Sequence, residues 1–325
     1  MEKRILGKDG PELSESGLGA WAIGGSWQWG WGEQDDQASI AAIKQALHTG
    51  VNWIDTAAVY GLGHGEEVVG QAVRDMRNDV FIATKCGLVW DDRKRIVNNL
   101  HQASIRRECE NSLRRLGVDH IDLYQVHWPH KNIPAEESWG AMTRLVEEGK
   151  VRYIGVSNYD TNLLSRCQAI APVQSLQPIY NMLQRDIEAE ILPWCIENEV
   201  GVVAYSPLMS GLLTGKFSQD YLSTLDETDW RSKGTHPLFR DPGFSKALEF
   251  TEALRPIAES YNRTVAQLAI AWTLMHYSMT SSIAGARNKD QAEKNANGAG
   301  WKISEDEMAA IDTLYKDIME DVLKD

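Results

Sequence analysis

Along most of the chain, short apolar runs alternate with longer stretches in which apolar residues recur every three or four positions. The first pattern marks buried strands and the second amphipathic helices. Ile40, Ile43 and Leu47 predict a helix before a short strand, Val51 to Asp55. Val68, Val69, Ala72, Val73 and Met76 predict the next helix, ahead of a strand over Val80 to Thr84. Ile105, Cys109, Leu113 and Leu116 then lead to the strand Ile121 to Val126, and Trp139, Met142 and Val146 to the strand Val151 to Val156. A helix near 160–170 precedes Ser175 to Gln177, and Ile187, Ile191 and Cys195 precede Val200 to Tyr205. After a break, helices are expected over Ala247 to Ser260 and Val265 to His276. A strand at Ser282 to Ala284 and a helix over Asp290 to Asn297 follow. Ser304-x-x-Glu307 reads as a capping box opening a C-terminal helix with Met308, Ile311, Leu314 and Ile318 on one face.

With a first strand at Gly19 to Ile23, this makes eight strands, nearly all followed by helices. Such alternation predicts an α/β fold with a parallel sheet, and eight strands suit a closed (β/α)8 TIM barrel. A doubly wound open sheet shows the same rhythm. No linker or composition shift divides the chain, so residues 1–325 are expected to form a single domain. Lys3 to Leu6 and Glu12-Leu13 flank Asp9-Gly10 and predict an N-terminal β-hairpin, placed to plug one end of the barrel. The stretch from about Gly211 to Pro242 is long for a connection, as functional loops often are.

Composition narrows the partners. The 43% hydrophobic content over 325 residues supports a large core. Thirty-three basic against 46 acidic residues give a net charge of -13, which argues against nucleic acid and anionic membranes as partners. No apolar run approaches a membrane span, and no signal-type apolar stretch follows Met1. Cys86, Cys109, Cys167 and Cys195 are far apart, as reduced thiols in a cytoplasmic protein would be. Nothing signals a dimer, so a monomer is the default expectation.

Active sites of such barrels lie at the C-terminal ends of the strands. Asp55 ends the second strand and Tyr60 follows it. Lys85 ends the third, His127 the fourth, Ser157-Asn158 the fifth, Gln177 the sixth and Tyr205-Ser206 the seventh. An acid, a phenol, an amine and an imidazole make a proton-transfer set. A free phenol has a pKa of about 10, and a nearby ammonium lowers it. Asp55 would hold Lys85, Tyr60 would donate a proton to a carbonyl oxygen, and His127 would bond the same oxygen. Each residue also has a plainer reading: a buried ion pair, a packing Tyr, a structural His, a capped strand end. The four together are harder to explain that way.

The last strand runs into Gly285-Ala286-Arg287 and opens a helix, a place for an anion. Gln291 and Asn295 share one face of that helix, and an ordinary helix cap is the competing reading. Lys216, after Ser210 to Gly215, is a second candidate phosphate contact. Gly17-x-Gly19-x-x-Ala22 imitates a dinucleotide fingerprint, but a Trp- and Gly-rich loop follows it instead of a helix. Gly61-x-Gly63-x-Gly65 lacks the Lys-Ser/Thr of a P-loop. Pro129 separates His127 from His130, and no metal site is assigned.

These residues resemble the aldo-keto reductases from about Gly17 to the C-terminal helix. The resemblance rests on Asn52-Trp53-Ile54-Asp55-Thr56-Ala57 with Tyr60-Gly61, Ala83-Thr84-Lys85, and Ile121 to Pro129. It continues through Gly149 to Asn158, Gln177-Pro178-x-Tyr180-Asn181, Tyr205-Ser206-Pro207-Leu208 and Gly211 to Lys216. Gly19-x-Trp21-Ala22-Ile23-Gly24-Gly25 and Asp229-Trp230-Arg231 look like the bacterial general-stress and inositol-operon-like branch. The resemblance implies NADPH/NADP+ as cofactor and a small carbonyl compound as substrate. Tyr60 would be the general acid, tuned by Asp55 and Lys85, with His127 orienting the carbonyl. Ser157, Asn158 and Gln177 would hold the nicotinamide amide, with Tyr205 stacked on its ring and Trp21 and Asp55 close by. Ser206, Pro207, Leu208, Ser210 and Gly211 would line the pyrophosphate path, with Lys216 and Arg231 over it. Gly285, Ala286, Arg287, Gln291 and Asn295 would hold the adenosine end, with Arg287 on the 2′-phosphate. Gly285-Ala286 replaces the Lys-Ser pair of the aldose-reductase branch, which puts more weight on Arg287. Trp21, Trp27, Trp29, Trp31 and Trp128 are candidates for an aromatic substrate wall suited to bulky aldehydes. The expectation is an NADPH-dependent aldehyde reductase. Its rivals are a non-catalytic cofactor-sensing subunit, like the potassium-channel β subunits, and a Schiff-base aldolase using Lys85.

Overall fold

The computed structural model describes residues 1–227 and 229–322. The chain opens with β1 (Lys3–Ile5), β2 (Glu12–Ser14), β3 (Ser16–Gly19), α1 (Asp36–His48), β4 (Trp53–Asp55), α2 (His64–Val73) and β5 (Phe81–Cys86). A hairpin of β6 (Leu88–Trp90) and β7 (Ile96–Asn98) comes next. It leads to α3 (Gln102–Leu116), β8 (Ile121–Val126), α4 (Ala135–Glu147), β9 (Val151–Ser157), α5 (Thr161–Gln168) and β10 (Ser175–Gln177). The remainder is α6 (Ile191–Glu197), β11 (Gly201–Tyr205), α7 (Gln219–Ser223), α8 (Gly243–Ala253), α9 (Arg255–Ser260), α10 (Val265–Met275), β12 (Met279–Gly285), α11 (Lys289–Ala296) and α12 (Glu305–Ile318).

Strands β3, β4, β5, β8, β9, β10, β11 and β12 pair in parallel in that order, and β12 closes onto β3. This is the closed (β/α)8 barrel, and closure removes the open-sheet alternative. The main core lies between the barrel and its helices. A second cluster fills the barrel itself: Trp53, Ala83, Leu123, Val203 and Ile283 meet Leu6 and Leu13 of the N-terminal hairpin. That hairpin therefore plugs the end where the strands begin. Its connection is longer than an Asp-Gly turn, because Leu6 N donates to Pro11 O at 2.9 Å and Gly7 and Asp9 both take left-handed conformations.

Several expectations change in detail. The first barrel strand is Ser16–Gly19, ahead of the expected Gly19 to Ile23, and Ala22–Gly24 forms a short 3-10 turn. The register follows Gly17, where an added Cβ would lie 2.3 Å from the Trp53 indole. The hairpin β6–β7 was not expected. The helix expected over 247–260 is broken into α8 and α9 beside Pro256, which supplies no backbone N–H. The capping box at Ser304 is half formed. Ser304 Oγ accepts from Glu307 N, but Ser304 N donates to Tyr261, whose hydroxyl bonds Glu307. The described residues of the stretch 211–242 form short helical turns around Phe217, Phe239 and Trp230. Among the described residues no helix is long and apolar enough to cross a membrane.

Candidate active site

Parallel closure brings the C-terminal ends of β4, β5, β8, β9 and β10 around one mouth. Lys85 Nζ, with a fully buried side chain, donates to Asp55 Oδ2 at 2.6 Å, Thr56 O at 3.0 Å and the Tyr60 hydroxyl at 3.3 Å. Gln177 Nε2 donates to Asp55 Oδ1 at 2.8 Å. Gln125 Nε2 also donates to Asp55 Oδ1 at 3.5 Å, so the carboxylate binds one cation and two amides, and the ammonium reaches the phenol through a third bond. Tyr60 is delivered by a sharp loop. Gly61 is left-handed and lies against Gly24, where a Cβ would come within 2.1 Å of the Gly24 carbonyl oxygen. The His127 ring meets the Tyr60 ring edge-on, centroids 5.9 Å apart.

Electrostatics correct one expectation. The Tyr60 phenol is not lowered toward neutrality. Burial pushes it well above its ordinary value, and Asp55 and Tyr205 add to the rise. In this dehydrated pocket the cost of a buried phenolate outweighs the pull of the ammonium. Tyr60 therefore rests fully protonated. Burial lowers Lys85, opposed by Asp55, and burial together with Lys85 holds His127 well below the usual histidine range. His127 is thus a neutral hydrogen-bonding group.

Next to this set, Ser157 Oγ donates to Gln177 O at 2.7 Å. Asn158, left-handed at φ 62°, donates to His127 O at 3.1 Å and accepts from the Tyr205 hydroxyl at 3.0 Å. After β11, Ser206, Met209, Ser210 and Gly211 all have positive φ, and Pro207 and Leu208 lie inside this turn. Such runs turn successive backbone N–H groups into an anion-binding hollow. Arg231 is buried over it, but its guanidinium is paired with Asp229 and also donates to Ser210 O at 3.0 Å. It shapes the hollow with its charge already neutralised. Lys216 is exposed.

At the other end, Asn295 Nδ2 donates to Gly285 O at 2.9 Å and Gln291 Oε1 accepts from Arg287 N at 2.9 Å. Both residues thus brace the turn after β12, which includes the buried Ala286. Arg287 donates from Nε to Gln34 Oε1 at 2.7 Å and from Nη2 to Glu33 O at 2.6 Å.

Residues 17–316 match the sequence model of the aldo/keto reductase family. The chain belongs to the aldo-keto reductase family. It is 37% identical to aldo-keto reductase YhdN of Bacillus subtilis over 99% of this chain and 96% of that one. It is 35% identical to the NADH-specific methylglyoxal reductase of Escherichia coli, over 94% and 95%. The structure of glycerol dehydrogenase AKR11B4 from Gluconobacter oxydans is similar with a TM-score of 0.88 and 38% identity, over 97% of this chain and 95% of that one. This protein is an oxidoreductase of that family.

In this aldo-keto reductase the candidate tryptophans take different places around the mouth. Trp21 and Trp27 pack on Tyr60, with ring centroids at 5.3 and 5.8 Å. Trp29 stands one ring further out, edge-on to Trp27 at 5.5 Å, and its carbonyl accepts from Trp21 Nε1. Trp128 is 45% exposed at the rim. Trp31 lies under the Arg231 guanidinium at 4.6 Å. The sequence reading did not single out Gln34 or Glu33, whose partner Arg287 is more than 250 positions away. Their place in a loop just before the helix cap Asp35 was the only local signal.

Proposed function

We propose that this aldo-keto reductase reduces aldehydes, and ketones more slowly, to alcohols with NADPH. The observation that carries this reading is the buried chain Asp55–Lys85–Tyr60 beside a neutral His127. The residues present suit the cofactor. The amides of Asn158 and Gln177 and the Ser157 hydroxyl offer donors and acceptors beside Asp55. The left-handed run after β11 offers backbone N–H groups to a pyrophosphate. When bound, the nicotinamide supplies a hydride to the carbonyl carbon.

The side chains then manage one proton. His127, uncharged, donates a ring N–H to the carbonyl oxygen and orients it. Tyr60 holds its proton at neutral pH and gives it up from the hydroxyl as charge develops on that oxygen. Lys85 Nζ stabilises the phenolate left behind, and Asp55 holds Lys85 in place. Trp21 and Trp27 keep water from the phenol. The names of two relatives, a methylglyoxal reductase and a glycerol dehydrogenase, support short oxygenated carbonyl compounds among the substrates.

The test is NADPH consumption with aromatic, aliphatic and dicarbonyl aldehydes, for wild type and Tyr60→Phe, after binding of NADPH by both has been measured. Turnover that collapses in the variant while binding survives supports the reading. Tight binding with no turnover of any carbonyl would replace it with a cofactor-sensing role.

A further inference from the structure

Two arginines reach into the same short stretch, Trp31 to Gln34, and they are held in opposite ways. Arg231 stacks on Trp31, but its positive charge is matched by Asp229. Arg287 is held by neutral oxygens alone: the side-chain oxygen of Gln34 and the main-chain oxygen of Glu33. Among the described residues no carboxylate pairs with it. Gln34 is itself fixed from two sides, since its Nε2 donates to Arg287 O at 2.9 Å and to Ser39 Oγ of α1 at 3.0 Å. The guanidinium is thereby oriented without being neutralised. Its Nε edge faces the loop, and Nη1, with no partner among the described residues, remains available at the half-buried end of the turn after β12. A fixed cation with an open donor face is what a phosphate dianion requires.

We propose that Gln34 is a positioning residue that sets the preference for a 2′-phosphorylated over an unphosphorylated adenosine by aiming Arg287. This rests on the reading above that the mouth binds a nicotinamide dinucleotide. It assigns the discrimination to a side chain on the loop before α1, 253 positions from the arginine it directs. The geometry gives a sign to each substitution. Gln34→Ala removes both bonds to Arg287 and lets the guanidinium rotate, so phosphate binding loses its preorganisation. Gln34→Glu keeps an acceptor for Nε, but its carboxylate neutralises Arg287 and faces the phosphate.

The experiment is equilibrium titration of tryptophan fluorescence with NADPH and, separately, with NADH. Wild type, Gln34→Ala, Gln34→Glu, Arg287→Ala and the double variant Gln34→Ala/Arg287→Ala are compared, each with a thermal melt. Gln34→Ala is expected to raise the Kd for NADPH about tenfold, the scale of one charge-assisted hydrogen bond, and the Kd for NADH less than about twofold. Gln34→Glu is expected to weaken NADPH more than Gln34→Ala does, with a melting temperature close to wild type. In the Arg287→Ala background, Gln34→Ala is expected to change neither constant. Equal weakening of both nucleotides, or an unchanged ratio of the two constants, would overturn the proposal and leave the reductase reading standing. A further loss of NADPH affinity in the double variant would also overturn it. A wild-type protein that binds neither nucleotide would instead remove the reading on which the proposal rests.

Discussion

Where the barrel strands begin, Leu6 and Leu13 are fully buried against Trp53, Leu123 and Val203, and the polar groups among them are bonded. Trp53 Nε1 donates to Ser281 Oγ at 3.0 Å, Ser281 Oγ to Ser14 O at 2.7 Å, and Arg4 to Met279 O at 2.7 Å. Where the strands end, Asp55 and Lys85 are buried charges, and the Thr56 Oγ1 and the indole nitrogens of Trp27 and Trp31 are buried without a partner among the described residues. Asn158, Ser206, Met209 and Ser210 adopt left-handed backbone there, which costs non-glycine residues about 1 kcal/mol or more each. One end is packed to hold the barrel shut. The other holds a fully buried ion pair beside a run of left-handed backbone, features that persist only when the surrounding structure over-determines them. Substitutions at the two ends should therefore separate stability from activity.

The largest effect is expected from Lys85→Met. It leaves the Asp55 carboxylate buried without its cation, which costs about 3–5 kcal/mol of stability. It also removes the group that stabilises the phenolate, so turnover falls to background. Urea unfolding together with carbonyl reduction measures both losses, and a variant as stable as wild type would show that the pair is not desolvated as described. Tyr60→Phe sharpens the contrast because it removes only the hydroxyl. Its kcat should drop by about 10²–10⁴-fold, while stability stays within about 1 kcal/mol. Leu13→Ala tests the opposite end. It should cost about 2–5 kcal/mol through the cavity it opens, with kcat unchanged under conditions where the variant is folded. A large fall in kcat there would mean that the plug and the mouth are coupled.

The same contrast explains what the sequence reveals. The barrel is legible because short apolar runs and 3.6-residue periodicity report burial, and burial is what closes a barrel. Asp55, Lys85, His127 and Gln177 are legible because each stands at the end of an apolar run that is itself easy to recognise. The Tyr60 environment is less so. Its raised proton affinity depends on Trp21 and Trp27 folding over it, and a loop sequence does not say which of several tryptophans turns inward. The first strand was misplaced because Gly17 and Gly19 carry no side chains to show an alternation, although Gly17 is required by the Trp53 ring. The hairpin β6–β7 went unseen because its strands are three residues each and half exposed, leaving almost no periodicity to read. The Gln34–Arg287 bond joins two loops at opposite ends of the chain, and no local pattern encodes such a contact.

A pH-dependent effect is expected from a carboxyl behind the mouth. Glu108 of α3 is buried, accepts from Gly87 N at 2.7 Å and from Ser104 Oγ at 2.9 Å, and so anchors the chain where β5 passes into β6. Burial raises its pKa from 4.5 to about 7, against the opposing pull of those two bonds and of Arg107 and Arg115. In the unfolded chain the group ionises near 4.5, so between pH 4.5 and 7 the folded state binds more protons. Stability from this group is then greatest below pH 4.5 and is lost as pH rises through about 7. At roughly 1.4 kcal/mol per pKa unit, the loss is about 3 kcal/mol. His127 acts in the opposite sense over part of that window, because its depressed value makes the unfolded state the stronger proton binder and stability rises with pH. The comparison of wild type with Glu108→Gln cancels His127, which is common to both, and the amide still accepts from Gly87 N. Urea unfolding at pH 4.5 and at pH 8 should show the variant gaining about 3 kcal/mol on wild type between the two conditions. A stability difference that does not change with pH would place the Glu108 proton in solvent exchange at its ordinary value. It would also remove this carboxyl from the set of groups that make the mouth costlier to fold than the plugged end.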